Sequence, residues 1–263
     1  MDFSACGGDE SLWIVAPTIK LDLSHHAEVI LSTALRNTNV VMRGFFVSSQ
    51  ENHNPCLVKI FRRYLDEPSI ASFIARVSDS YNVATLERLA QLGNVDNRRA
   101  AILALTFLGN YSSNQVMAKA LHDSDRGVRM LAEEGCYWIW SRGGNAEQQH
   151  RLGKIKRLNQ GGLFRDAITV ASELCKQSPD YAEAWHQLGI AEFFAGRVED
   201  SIQSSWRALS INPFHFESAI GLGHAYLEMD DRVSALESYQ HAVSLNPNLE
   251  SIRIQVAKMQ RLS

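Results

Sequence analysis

The chain has 263 residues, of which 45% are apolar and 21% charged, and its formal net charge is −3. That is ordinary globular composition, which excludes wholesale disorder, and the charge balance lacks the broad basic surface that phosphate-driven nucleic-acid binding demands. No apolar run approaches the ~20 residues that span a bilayer. The opening Met1-Asp2-Phe3-Ser4 is acidic and makes a poor secretory signal. Cys6, Cys56, Cys136 and Cys175 are scattered and form no metal or disulfide pattern. A soluble, cytoplasmic protein with reduced cysteines is expected.

Residues 1–80 are the least legible. Leu12 to Ala16 reads as a short strand stopped by Pro17, and Ile19 to Leu23 alternates with period two. His26 to Arg36 has helical spacing, and Asn39 to Val47 suits a strand or a buried helix. After Pro55, Leu57 to Leu65 and Ile70 to Val77 are expected to be helices. Before it, a small α/β element and degenerate helical repeats both stay open.

Residues 81–144 hold two copies of one pattern. Asn97-Arg98-Arg99-Ala100-Ala101 and Val128-Arg129-Met130-Leu131-Ala132 align when Arg98 is set on Arg129, an offset of 31. An acidic turn precedes each, at Asn94-Val95-Asp96 and Asp123-Ser124-Asp125. This resembles short HEAT-type repeats, and the resemblance implies an Arg in one repeat bonded to an Asp in the next turn. Tyr137-Trp138-Ile139-Trp140 closes the block and is expected to seal its junction with the second half of the chain; Gly143-Gly144 then punctuates a boundary. Without a long linker, the two blocks are expected to form one continuous superhelix.

Residues 145–263 repeat at a step of 34. Pro179, Pro213 and Pro247 stand 34 apart, as do Gly189 and Gly223, Leu188 and Leu222, and Ala167, Ser201 and Ala235. Within each unit apolar positions recur at three and four, giving two helices, and the proline ends the unit because it lacks an N–H. Gly189 and Gly223 lie mid-helix, where only a close helix approach repays the ~1 kcal/mol that Gly loses to Ala. These residues resemble the tetratricopeptide repeat. Residues 182–215 carry Trp185, Leu188, Gly189, Ala208 and Pro213, with Glu192 and Ser205 replacing aromatics. Residues 216–249 carry Leu222, Gly223, Tyr226, Ala235, Tyr239, Ala242 and Pro247. Residues 148–181 are the weakest copy, and Leu249, Ile252, Val256 and Met259 mark a terminal capping helix. The fold class expected is an all-α superhelix, or solenoid, of HEAT-like and then tetratricopeptide hairpins.

Catalytic chemistry is not legible. His25-His26 are adjacent, so their side chains diverge and cannot chelate as an i, i+4 pair does. No nucleotide loop, nucleophile elbow or zinc-protease motif occurs, and no metal or cofactor is expected. Lys59 to Tyr64 interleaves basic and aromatic residues, but Leu57, Phe61 and Tyr64 share one face, which makes it a core face.

The tetratricopeptide resemblance implies a concave face made by the first helices. By repeat position its candidates are Gln149, Lys156, Glu183, His186, Gln187, Phe193, Glu217, Ile220, His224 and Leu227. A clamp for a chaperone's terminal carboxylate needs Lys, Asn and Arg there. Lys156 is the only match of type, and it sits where the clamp has Asn. The expected function is therefore a non-enzymatic adaptor that binds a protein peptide or helix, with no nucleic acid and no membrane. Two alternatives stay open: an enzyme or enzyme subunit with its site in residues 1–80, and an RNA-binding helical repeat.

Overall fold

The computed structural model describes residues 56–262. The strand and helix expectations before Pro55, Cys6 and the His25-His26 pair lie outside the described residues. Within them the chain is all helix and turn, with no strand. The upstream helices are α1 (Cys56–Asp66), α2 (Ile70–Ser80), α3 (Val83–Leu92), α4 (Val95–Leu108), α5 (Asn114–Ala120) and α6 (Arg126–Ser141). A single 3₁₀ turn, Tyr111–Ser113, separates α4 from α5. Then come α7 (Ala146–Gln160), α8 (Phe164–Gln177), α9 (Ala182–Phe194), α10 (Val198–Ile211), α11 (Phe216–Glu228), α12 (Arg232–Leu245) and α13 (Glu250–Leu262). No described helix is long and apolar enough to cross a membrane.

Local chemistry sets the helix starts upstream. Asn82, Asn94 and Asp125 each accept the N–H three residues on, satisfying a donor that the first turn leaves orphaned. Asn145 and Gln148 exchange both bonds of a capping box at the start of α7. In the hairpins beyond it the register itself is regular. Helices α9, α11 and α13 begin at 182, 216 and 250, and α8, α10 and α12 at 164, 198 and 232. Each second helix stops two residues before its proline, because the residue preceding proline is pushed out of the α region. Between first and second helices the chain turns through the left-handed region at Gly162, Gly196 and Asp230, again 34 apart.

The upstream core centres on α4, whose Ala100 to Leu105 are all at most 1% exposed. A helix apolar all round must be covered all round, and α1, α2, α3 and α6 cover it. Bidentate Arg98–Asp123 contacts of 2.7 and 2.8 Å tie α4 to the turn before α6. This is the cross-turn bond that the resemblance to short HEAT-type repeats implies. Arg99 grips Asp125 beside it at 2.6 and 2.8 Å. The basic-aromatic stretch in α1 is a core face, with Leu57, Phe61 and Tyr64 buried and Arg63 exposed.

The two blocks do not meet end to end as a simple continuation of one row of hairpins. Helix α6 lies across the turns that connect one hairpin to the next. Trp140 is 1% exposed, stacked on His215 with ring centroids 4.1 Å apart and tilted against Phe216. Phe216, the first residue of α11, thereby joins the upstream core. The aromatic run seals the junction as expected, and it does so against the second turn, at His215, Phe216 and Glu217.

Candidate functional site

Four residues of α6, Arg129, Glu133, Tyr137 and Trp140, are spaced four, four and three, which places them on one helical face over about 16 Å. Each meets a repeat turn or the helix start beside it. Trp140 Nε1 donates to Asn114 Oδ1, whose Nδ2 donates to Asn212 Oδ1, both at 2.8 Å. The Tyr137 hydroxyl donates to Glu217 at 2.5 Å. Asn248 donates to Glu133 at 3.3 Å and accepts from Arg129 Nε at 3.1 Å. At the near end Tyr181 donates to the Ser141 carbonyl at 2.6 Å. Arg129 aligns with Arg98, so Asn248 receives it where a following acidic turn would have done.

This docking buries the near end of the concave row. Lys156 Nζ lies 2.7 Å from Glu183 and donates to Ser141 Oγ at 2.9 Å. His215 caps α11, accepting the Ser218 N–H on Nδ1, which leaves Nε2–H to donate to Glu183 at 3.1 Å. His186 meets Ser218 Oγ at 3.2 Å. Gln187 donates to Glu183 at 3.2 Å and accepts from Asn159 at 3.1 Å. Gln149 is also satisfied internally, donating to the Gly144 carbonyl at 2.5 Å. The structure thus brings Lys156, Glu183, His186 and Gln187 into one hydrogen-bonded cluster and gives Glu217 to Tyr137.

The electrostatics follow from that enclosure. Burial by itself would raise the Glu183 carboxyl, but the Lys156 ammonium and the His215 hydrogen bond hold it well below the usual carboxylate range. Burial, aided by the neighbouring His215, pushes His186 down to about 3, so it is neutral. For Glu217 burial wins over the Tyr137 hydrogen bond, and its carboxyl is raised.

Ser218, His215 and Glu183 lie in the order of a nucleophile, base and acid. Ser218 and His215 are nonetheless fully buried, and His215 Nδ1 is already engaged by the backbone cap. The arrangement holds α9 and α11 together and has no room for a substrate. A cleft of about 250 Å³ lies nearby, lined by Tyr111, Trp140, Asp180, Tyr181, Glu183 and Ile211. Ligand pockets start near 300 Å³, and the Glu183 carboxylate on this wall already has its partners. Among the described residues no group of three His, Cys, Asp or Glu could hold a metal.

The remaining candidates are a separate set. Phe193, His224 and Leu227 lie toward the far ends of α9 and α11, about 15 Å along α9 from Glu183 in the case of Phe193, and Ile220, at the repeat position of His186, lies in the first half of α11. All four are half-buried. The His224 ring accepts or donates at Nδ1 to the Tyr239 hydroxyl at 2.7 Å, and Phe193 meets the exposed Phe194 edge-on. Sequence reasoning missed α6 as the occupant of the near end, and with it Glu133, Asn212, His215 and Asn248. The one available signal was the repetition of Asn212-Pro213 in Asn246-Pro247, polar turns whose asparagines both end up buried.

Residues 216–249 match the family model of the tetratricopeptide repeat, so this helical-hairpin segment is a tetratricopeptide repeat. Among solved structures, the chain is similar to MamA from Desulfovibrio magneticus RS-1, residues 41 to the end. That likeness has 18% identity, covers 74% of this chain and 98% of that one, and has a TM-score of 0.37. A double mutant named MamA RS-1 ArsTM gives 19% identity over 75% of this chain and 98% of that one, with the same TM-score. At that score the likeness carries no argument about function; the repeat identity rests on the family match and on the hairpins.

Proposed function

We propose that the chain is a non-enzymatic scaffold that binds a segment of a partner protein through the open, far half of its concave face. The observation supporting this reading is the division of that face. Along α9 and α11 the near-end positions are satisfied by the chain's own α6 and by one another. Ile220 in the first half of α11 and the far-end positions Phe193, His224 and Leu227 stay partly open, with the exposed Ile254 of α13 beyond them. Tetratricopeptide hairpins stack into such a row, and a row of apolar positions at one-per-repeat spacing suits a helix or an extended peptide.

The enzyme alternative gains no support from α1 and α2, which make residues 56–66 and 70–80 helical and build a core face. The test is a photoreactive amino acid placed at Leu227 and, as the control, at exposed Arg207 on the outer face of α10. Irradiation in cells should give discrete protein adducts from position 227 that position 207 lacks. Identical adduct patterns from both positions would sink the reading.

A further inference from the structure

Helix α13 begins 34 residues after α11, so Ile254, Lys258 and Arg261 continue the positions of Ile220, His224 and Leu227. They are therefore the last described members of the inner row. Because no second helix covers them among the described residues, Ile254 is 52% exposed and Lys258 and Arg261 are exposed. Neither cation has an ion pair among the described residues. The inner row's two acids, the buried Glu183 and the half-buried Glu217, are engaged by Lys156, His215 and Tyr137, so they present no anion to the open half. Opposing charges stand at the lip: the exposed Glu228 at the end of α11, and Asp230 and Asp231 in the turn after it, of which Asp230 meets Arg232 at 3.3 Å and Asp231 caps α12. The chain as a whole is net negative, yet the exposed charges on the inner-row positions themselves are the two cations Lys258 and Arg261, beside the half-buried Leu227 and the exposed Ile254.

We propose that the open groove takes an acidic amphipathic segment of a partner protein, with apolar anchors on Phe193, Leu227 and Ile254 and carboxylates against Lys258 and Arg261. The proposal rests on the scaffold reading above and adds the chemistry of the partner. Charge complementarity selects the occupant. A second copy of this chain docking by the same face would set Lys258 and Arg261 against themselves, because a two-fold interface pairs a patch with its own image. A basic segment would meet the same repulsion, whereas an acidic one gains attraction on approach and in the complex.

The experiment uses the full chain and three fluorescein-labelled synthetic helical peptides, read by fluorescence anisotropy. The first has leucines at i, i+4 and i+7 with glutamates elsewhere; the second has lysines for the glutamates; the third keeps the glutamates and has serines for the leucines. The acidic amphipathic peptide should bind, the lysine and serine peptides should not, and raising salt from about 50 to about 300 mM should weaken binding. K258E/R261E should weaken it on the order of tenfold or more, with circular dichroism confirming an unchanged helical fold. Binding of the lysine peptide as tightly as the acidic one, indifference to charge reversal, or no binding of any peptide would overturn the proposal. Phe193→Ala/Leu227→Ala separates the two levels. If that pair weakens binding and the charge reversal does not, the scaffold reading stands and the acidic partner falls. If neither variant matters, the concave reading falls too.

Discussion

Residues 182–215 and 216–249 are built on one register and hold their helices together by opposite means. In the third repeat a glycine meets an aromatic ring: a Cβ built on Gly223 would stand 2.3 Å from Cε1 of Tyr239, which is fully buried. In the second, Gly189 faces Ser205, with Oγ 3.0 Å from the same hypothetical Cβ. Where the third repeat has Tyr226, the second has a buried Glu192 that accepts the Ser204 hydroxyl at 2.6 Å. The family match falls on the copy that keeps the aromatic pair. One interface is therefore a steric lock and the other a polar clasp, and they should fail differently.

The largest difference is expected from filling the glycine positions. Gly223→Leu should cost about 3 kcal/mol, since the Tyr239 ring is hemmed in and overpacked cores lose about 1–3 kcal/mol or more. Gly189→Ala should stay within about 1 kcal/mol of the parent: the Ser205 hydroxyl can rotate away, and Ala gains about 1 kcal/mol of helix propensity. Guanidinium denaturation of both variants at constant m-value measures this. Equal losses would mean that the two interfaces are packed alike.

Removing charge separates the repeats next. Glu183→Gln takes the anion from the Lys156 ammonium and should cost roughly 2–4 kcal/mol, because breaking an enclosed pair leaves the other charge uncompensated. Glu217→Gln keeps an acceptor for the Tyr137 hydroxyl. The raised carboxyl of Glu217 means that its ionisation opposes folding, so stability falls as pH rises through its folded pKa. Glu217→Gln should therefore be neutral or slightly stabilising near pH 7.5 in thermal melts. A loss matching that of Glu183→Gln would show that Glu217 is ionised and paired.

The same contrast appears in pH dependence. His186, in the second repeat, is held at about 3 against its ordinary 6.5. Between those values the unfolded chain binds a proton that the folded chain refuses, so stability is lost as pH falls below about 6.5. The slope is at most about 1.4 kcal/mol per pH unit for one group. His224, in the third repeat, is lowered by burial alone and contributes with the same sign. Measured from pH 7.5 to 5, above the range where Glu183 protonates in the unfolded chain, His186→Asn should flatten the curve more than His224→Asn. An unchanged slope in His186→Asn would show that the ring is protonated in the native cluster.

Legibility in the sequence differs by element. The hairpins are readable because proline, glycine and alanine mark backbone constraints that recur with the register, as Pro179, Pro213 and Pro247 do. Gly223 is readable as a close approach, although its Tyr239 partner needs the fold. The near half of the concave row reads as a ligand surface because repeat position shows which way Glu183 and His186 point and not what arrives there. What arrives is α6, a contact between residues such as Tyr137 and Glu217 that lie 80 positions apart. No local pattern encodes such a contact. The far half, by contrast, is set by repeat position and by the place of α13 one repeat step beyond α11, both visible in the chain itself.

The smallest contrast lies in the turns. Gly162, Gly196 and Asp230 hold equivalent positions with φ of 70°, 77° and 58°. Glycine reaches that region without a Cβ penalty, whereas other residues are strained there by roughly 1–2 kcal/mol, Asp somewhat less because its short side chain can bond locally. Asp230 does contact Arg232 at 3.3 Å, but both side chains are more than 70% exposed, and such a pair contributes little. Asp230→Gly should therefore stabilise the third repeat by about 0.5 kcal/mol, after the extra freedom glycine gives the unfolded chain is subtracted. Gly196→Asp should destabilise the second by a similar amount. Opposite shifts in melting temperature would locate the effect in the backbone; a loss in both would mean that the Asp230 side chain, and not its φ, sets this turn.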